Sequence, residues 1–232
     1  MLPTFILFLR EGLEAALIVS ILFAALRQLG QMQQARAVWT GIILAILGSI
    51  AGGFTLYMTI HQFQDTPFEI IFEGAAFLLA VIMLTGVTFW MQVHSRTLKK
   101  EIMTKASTAT SGFALGVLAF STVGREGLET AFFTLAIAFQ TNGWLLLIGA
   151  VLGLLAAIGL CFLIYRMGYR LDYRVFFRVM GILLIFFAAG LLGNAVHEFQ
   201  EIGWLPFGTA VVWNTEHILS TESDLGALLK GV

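Results

Sequence analysis

The chain has 232 residues, of which 59% are hydrophobic and only 12% are charged, with a net charge of −1 and a mean hydropathy of +0.90. Soluble domains carry about 25% charged residues, so this composition excludes an ordinary soluble protein and predicts an all-α polytopic membrane protein. The alternating segments of about ten residues that build a membrane β-barrel do not occur. Lipid is the expected surrounding, and no nucleic-acid partner is expected.

Hydropathy predicts membrane spans joined by short connections. The spans are 3–26, 38–60, 68–92, 111–139, 143–165 and 175–196. The start of the chain lacks a basic leader, and the charges at Arg10, Glu11 and Glu14 would interrupt the apolar core of a signal peptide. The first span is therefore expected to remain in the protein.

The first span contains Arg10-Glu11-Gly12-Leu13-Glu14, and the fourth repeats these five residues as Arg125-Glu126-Gly127-Leu128-Glu129. Ionisable residues at membrane depth are costly and usually mark a functional site. On a helix, the arginine and the two glutamates of each copy share one face, and the arginine can contact the second glutamate at i+4. If the two faces meet, the predicted metal ligands are Glu11, Glu14, Glu126 and Glu129, with Arg10 and Arg125 as site-lining, charge-compensating residues.

Gly12 and Gly127 lie between the acids of their motifs and are expected to let the first and fourth spans approach closely. Each motif alone could be a structural Arg–Glu pair that locks two helices together. The duplication of the whole charged stretch favours a functional site over that alternative.

The connections predict the orientation in the membrane. Ten of the thirteen Lys and Arg residues fall in the first, third and fifth connections or, for Arg178, within about one turn of the fifth, whereas the second and fourth connections have none. The positive-inside rule then places the N-terminus outside and the basic connections in the cytoplasm. The five tryptophans fall near the predicted interfaces as an ordinary aromatic belt, with Trp90 on the inner side.

The two motifs lie 115 residues apart, and each opens a unit of three spans. Because three is odd, the second unit runs in the opposite direction, which predicts two inverted three-helix repeats with the substrate site at their interface. The expected divisions are a first repeat at 1–110, a second repeat at 111–197 and an outer-side interfacial segment at 198–232.

The composition of the predicted site favours a hard cation. Carboxylate oxygens suit hard ions, whereas softer ions prefer sulfur or imidazole ligands, and no His or Cys lies near either motif. This reasoning leaves a proton, Ca²⁺, Mg²⁺, Mn²⁺ or a high-charge iron ion. Secondary entry candidates on the outer side are Glu73, His197, Glu198, Glu216 and His217.

The duplicated Arg-Glu-Gly-Leu-Glu motif resembles the oxidase-dependent iron permeases of fungi and the EfeU-type permeases of bacteria, over essentially the whole chain. The resemblance implies a plasma-membrane permease, in bacteria the inner membrane, that imports iron as substrate and needs no prosthetic group. It implies that the six charged motif residues take part in translocation. It also implies an outer-side oxidase or peroxidase, and an iron-binding protein, that deliver Fe³⁺.

Members of that family usually have seven spans, and after residue 197 the sequence is too polar and broken to span, so the seventh span is expected to be absent from this chain. Two other functions stay open at this point. One is a proton-coupled carrier for another hard divalent cation such as Mn²⁺. The other is an intramembrane di-iron oxidase, which is disfavoured because neither motif has a His at i+3 or i+4 from a glutamate.

Overall fold

The computed structural model describes residues 1–61, 67–109, 111–139, 141–167 and 173–205. These ranges form six α-helices and one short 3-10 helix at Met32–Gln34, without a strand. The α-helices are α1 (Leu2–Gln28), α2 (Ala35–His61), α3 (Pro67–Thr108), α4 (Gly112–Ala138), α5 (Gly143–Met167) and α6 (Tyr173–Glu201). The all-α class predicted from the sequence agrees with the described part of the chain.

Four described helical segments are long and apolar enough to cross a membrane by length and composition. They are Met32–Met58, Ile70–Trp90, Gly143–Leu163 and Arg178–Glu201. The helices α1 and α4 have 27 residues each, but each carries the three charges of its motif near its centre. Apolar composition alone therefore does not identify these two helices as spans.

Local signals define the ends of the two motif-bearing helices. Pro3 lies in the first turn of α1, where a proline costs no helical hydrogen bond. Gly30 ends α1 with a φ of 68°, and the N–H of Gln31 donates to the carbonyl of Leu26 at 2.9 Å. This six-to-one bond is the Schellman pattern that a left-handed glycine permits. Ser111 caps α4, and its hydroxyl accepts from the N–H of Ala114 at 3.2 Å.

The third helix is longer than the sequence pattern predicts. The predicted span ends at residue 92, whereas α3 continues to Thr108 and has 42 residues. Its last turns are polar outside but bury Ile102 and Ala106 against the end of α1. The predicted third loop is therefore mostly helix, because hydropathy detects where an apolar span ends and not where a helix ends.

The helices pack mainly in three pairs, α1 with α5, α2 with α4 and α3 with α6. The two motif-bearing helices, α1 and α4, also contact each other directly. They run antiparallel, because the first half of α1 packs with the second half of α4, and the second half of α1 with the first half of α4.

Buried apolar side chains form two clusters, one at each end of the α1–α4 contact. The first apolar cluster joins α1, α3, α4 and α6 and includes Leu7, Leu84, Phe133 and Leu191. The second apolar cluster joins α1, α2, α3 and α4 and includes Leu22, Val38, Ile102 and Leu115. Along both α1 and α4 the charged motif lies between the two clusters.

The last described helix runs five residues beyond its predicted end at 196, to Glu201. Gly203, with a φ of 75°, ends it, and the N–H of Trp204 donates to the carbonyl of Phe199 at 3.0 Å. The rings of Phe199 and Trp204 stack with centroids 5.9 Å apart, the apolar contact that accompanies this cap. The first residues of the predicted interfacial segment at 198–232 are thus helical, and its remainder from 206 lies outside the described residues.

Candidate carboxylate site

The first motif holds its arginine between both of its glutamates. Arg10 donates through Nη1 to Glu11 Oε1 at 3.1 Å, and its Nε lies 2.9 Å from Glu14 Oε1. All three side chains are 3% exposed. A guanidinium buried to this extent needs such partners, because an unpaired charge at this depth would be strongly destabilising.

The second motif reproduces only one of these two contacts. Arg125 Nε donates to Glu129 Oε1 at 2.8 Å, the same i to i+4 pair as in the first copy. Its guanidinium carbon lies 4.4 Å from the centroid of the Trp90 ring, a cation–π contact. Among the described residues no ion pair joins Arg125 to Glu126, and the Arg125 side chain is 46% exposed.

Three of the four predicted ligands come together. Glu11, Glu126 and Glu129 each offer a carboxylate oxygen, and these oxygens lie within 4.8 Å of one another. Each of the three also has a buried Oε2 atom without a hydrogen-bond partner in the described part of the chain. Glu14 stays outside this trio, paired with Arg10. Buried acceptors without donors call for a cation or a proton, because an orphaned buried acceptor is costly.

The site is enclosed on both sides. Glu11 and Glu14 are 3% exposed, Glu126 is 9% exposed and Glu129 is 6% exposed. The first and second apolar clusters, on either side, separate these carboxylates from both ends of the bundle. Four carboxylates and two guanidiniums sum to −2 when all are ionised, so the enclosed site has a deficit of positive charge that a cation would fill.

The motif glycines serve other contacts than those predicted. The expectation was that Gly12 and Gly127 would bring α1 and α4 together. A Cβ on Gly12 would instead lie 2.9 Å from Ala157 Cβ on α5, and one on Gly127 would clash with Ser49 on α2. The prediction was wrong about the partners, because the charges lie on the helix face where α1 and α4 meet, whereas Gly12 faces α5 and Gly127 faces α2.

The secondary candidates lie apart from the trio. Glu73 is half-buried on α3, and its neighbour Gly74 faces Phe199 and Glu198 of α6. His197 is exposed on α6, one residue before Glu198. None of these belongs to a group of three potential ligands within the described ranges. Glu216 and His217 lie outside the described residues.

Trp90 is the residue at this site that the sequence analysis missed. Its position near the end of an apolar stretch is typical of an interfacial belt, and nothing local marks it as a neighbour of the motif. The contact depends on how α3 packs against α4, which a single sequence does not reveal.

Buried carboxylates between the apolar helices of a multi-pass membrane protein are typical of membrane transporters. The chain belongs to the iron permease FTR1 family, whose family model matches residues 1–232. It is thus an iron permease, a transporter and not an enzyme.

Named relatives match over the whole chain. The ferrous iron permeases EfeU of Escherichia coli and Shigella sonnei are 35% identical to it over 237 residues, a match that covers 86% of each relative. The ferrous iron permease EfeU of Yersinia pestis is 36% identical over 237 residues, with 84% of that protein covered. No solved structure matches the chain.

Proposed function

We propose that the chain imports iron through the trio of Glu11, Glu126 and Glu129, while Glu14 stays paired with Arg10. The observation that carries this proposal is the convergence of three buried carboxylates, within 4.8 Å, between two apolar clusters. A cation bound there replaces the hydrogen bonds that the three Oε2 atoms lack. An all-oxygen donor set suits Fe³⁺ as substrate.

The oxidation state is part of this proposal. The relatives are named ferrous iron permeases, whereas hard carboxylate ligands favour ferric iron. Both are reconciled if ferrous iron is oxidised at the outer face before it enters the site. The chain then works with an outer-side oxidase or peroxidase and an iron-binding protein, in the bacterial inner membrane and with its N-terminus outside.

The transport mechanism rests on an inverted repeat, in which α1–α3 and α4–α6 are equivalent units around the site. The helix pairing supports this, because exchanging the units turns the α1–α5 pair into the α4–α2 pair and leaves the α3–α6 pair unchanged. Antiparallel α1 and α4 are also what such an exchange requires.

Matching residue contacts support the same repeat. The motifs are 115 residues apart, and α2 and α5 align with a separation of 108 residues. With these separations, Gly12 is equivalent to Gly127, and Ala157 is equivalent to Ser49. The contact of Gly12 with Ala157 therefore corresponds to the contact of Gly127 with Ser49. The agreement is between contacts, so it does not depend on sequence similarity outside the motifs.

A second pair of contacts follows the same two separations. A Cβ on Gly149 would lie 3.3 Å from the backbone nitrogen of Phe5, and one on Gly41 would lie 3.1 Å from that of Phe120. Gly149 maps onto Gly41 and Phe5 onto Phe120. The two helix pairs therefore pack in the same register.

The third helices of the two units align with a separation of 107 residues. At this separation, two glycines of α3 are equivalent to two glycines of α6. The buried positions of α3 are also equivalent to buried positions of α6. The equivalent buried pairs are Gly74 with Gly181, Phe77 with Leu184, Ala80 with Phe187, Leu84 with Leu191, and Thr88 with Ala195.

Iron uptake by the purified protein in proteoliposomes tests the proposed function. Glu126→Gln should lower the rate of iron uptake by at least roughly tenfold, because it removes a ligand that no arginine shares. Glu101→Gln is the matched control, since Glu101 is an exposed carboxylate paired with Lys105, outside the site. Equal uptake by Glu126→Gln and Glu101→Gln would overturn the carboxylate site.

The same assay identifies which ion the protein transports. Uptake is measured with ferric citrate, with ferrous iron kept reduced by ascorbate, and with each in the presence of excess Mn²⁺. Faster uptake from ferric citrate that Mn²⁺ does not inhibit supports the Fe³⁺ proposal. Uptake restricted to ferrous iron, or abolished by Mn²⁺, would instead assign a divalent carrier.

A further inference from the structure

The two copies of one charged motif hold their arginines differently. Arg10 bridges both glutamates of its own copy, whereas Arg125 reaches Glu129 and then lies over Trp90. The contact missing in the second copy is the one that would join Arg125 to Glu126. Since the five residues of the two copies are identical, the difference arises outside the motif, and Trp90 of α3 is the neighbour over which the Arg125 guanidinium lies.

We propose that Trp90 is a positioning residue of the iron site, whose ring holds Arg125 away from Glu126 and so leaves that carboxylate as the ligand of the trio that pairs with neither motif arginine. The inference rests on the proposed function, because it takes the trio as the iron site. Trp90 acts through Arg125, whose guanidinium carbon lies 4.4 Å from the centroid of the Trp90 ring.

The alternative position for Arg125 is the one that Arg10 occupies. There, Nε contacts the second glutamate and Nη1 contacts the first, at 2.9 Å and 3.1 Å. Arg125 already makes the Nε contact, at 2.8 Å. A rotation that brings its Nη1 to Glu126 would complete the bridge and place a fixed positive charge where the metal ion binds. The face of an indole ring attracts a guanidinium and competes with that rotation.

The repeat explains why only one arginine is held in this way. The 107-residue separation of α3 and α6 makes His197 the counterpart of Trp90. An exposed imidazole at that position replaces the indole, and Arg10 stays on its two glutamates. The two halves thus differ at this pair of equivalent positions, and only the half with the indole has its arginine in a cation–π contact.

Kinetics of iron uptake and iron binding by three variants test the proposal. Trp90→Leu removes the ring face and should raise the KM for iron and weaken equilibrium binding of radioactive iron by about threefold to tenfold, the range that a cation–π contact supports. Trp90→Phe keeps a weaker ring face and should fall between Trp90→Leu and the wild type. Phe89→Leu, at a 57% exposed neighbour on the same helix, is the matched control and should bind iron as the wild type does.

A double-mutant cycle separates positioning from general damage. In an Arg125→Gln background there is no guanidinium to hold, so Trp90→Leu should cause no further loss of iron binding. A loss of equal size in both backgrounds, or equal KM values for Trp90→Leu and Phe89→Leu, would overturn the proposal. Size-exclusion profiles identify misfolded variants, and Trp90→Phe, as the milder change, then carries the comparison.

The outcomes also distinguish a failure of this inference from a failure of the proposed function on which it rests. If the wild-type protein neither binds nor transports iron, the proposed function fails. If the wild type transports iron and Glu126→Gln abolishes transport, while Trp90→Leu behaves as Phe89→Leu does, the function stands and the role of Trp90 is refuted.

Discussion

The arginines of the repeated motif have identical neighbours in sequence but different surroundings in the fold. Arg10 is buried, with its charge balanced by two carboxylates, whereas Arg125 is 46% exposed and paired with one. Removing the partner of a buried charge leaves that charge uncompensated, and Arg10 compensates two buried carboxylates whereas Arg125 pairs with one. The two residues are therefore expected to differ in what they contribute to folding.

Replacing each arginine by glutamine measures that difference. Arg10→Gln should lower the free energy of unfolding by about 3–5 kcal/mol, because it leaves Glu11 and Glu14 buried without a cation. Arg125→Gln should lower it by less than Arg10→Gln does, because it leaves only Glu129 without its ion-pair partner. Thermal unfolding in detergent, followed by circular dichroism, compares the pair, and equal shifts in Tm would contradict the structural asymmetry.

At this scale the sequence predicts the site in part. The duplicated motif predicts that six charged residues belong to one site, because three charges in each of two apolar segments need a common explanation, and the structure brings three of the four glutamates together. It could not separate Glu14 from Glu11, Glu126 and Glu129, since that division depends on how α1 and α4 pack against each other. Nor could it predict the contact of Arg125 with Trp90, a residue from another helix.

At the scale of helices, glycines determine which pairs pack most closely. On α5, Gly153 faces α1, where an added Cβ would lie 2.9 Å from Phe8 Cβ and 3.1 Å from the nitrogen of Leu9. Gly159, less than two turns further along the same helix, has nothing within 4 Å of an added Cβ. Only the first glycine is needed for the helices to approach.

Substitution of these two glycines by valine tests the α1–α5 contact. Gly153→Val should destabilise the protein by about 1–3 kcal/mol, because the backbones of α1 and α5 must separate to admit the side chain. Gly159→Val should leave the stability within about 0.5 kcal/mol of the wild type, as a change on an open helix face. Unfolding midpoints of the two variants give the answer, and a similar loss in both would show that the helix pair is not glycine-dependent.

The helices themselves were easier to predict than their partners. Each of the six predicted spans coincides with one helix, because long apolar runs carry the signal directly. The extension of α3 to Thr108 was missed, since a polar helix beyond the apolar stretch has no hydropathy signal. The partners of Gly12 and Gly127 were mispredicted, because glycine spacing shows that a close contact exists and not with which helix.

For the whole molecule, the position of the charged site between two apolar clusters indicates how transport proceeds. The site is closed toward both ends in this structure, so under the proposed function iron would reach it only if one of the clusters opens. In an inverted repeat, equivalent movements of the two units open the two clusters in turn, so that the site is accessible first from one side of the membrane and then from the other. A carrier of this kind opens one cluster at a time, whereas a channel opens both to one continuous path.

Single cysteines placed in the two clusters distinguish these mechanisms. Leu7 of the first cluster and Leu22 of the second are both fully buried, and the native Cys161 is first replaced by alanine. In oriented proteoliposomes, a membrane-impermeant thiol reagent should label Leu7→Cys only from the side of the N-terminus and Leu22→Cys only from the opposite side. Ile82→Cys, on an exposed apolar face, serves as the control for reagent that leaks into the lipid.

Iron adds the decisive comparison to that experiment. The alternating mechanism has two open states, each with one cluster open and the other closed. Conditions that favour one of these states should raise labelling at the cysteine of the open cluster and lower it at the other cysteine, because a single equilibrium connects the two states. Under the proposed function, iron bound to the trio would also stabilise the closed arrangement, in which Glu11 on α1 and the two glutamates on α4 lie within 4.8 Å of one another. Saturating iron should then protect both cysteines on short exposure to the reagent. Labelling of both positions from the same side would show a continuous path, and the alternating mechanism would be wrong even if the carboxylate site were right.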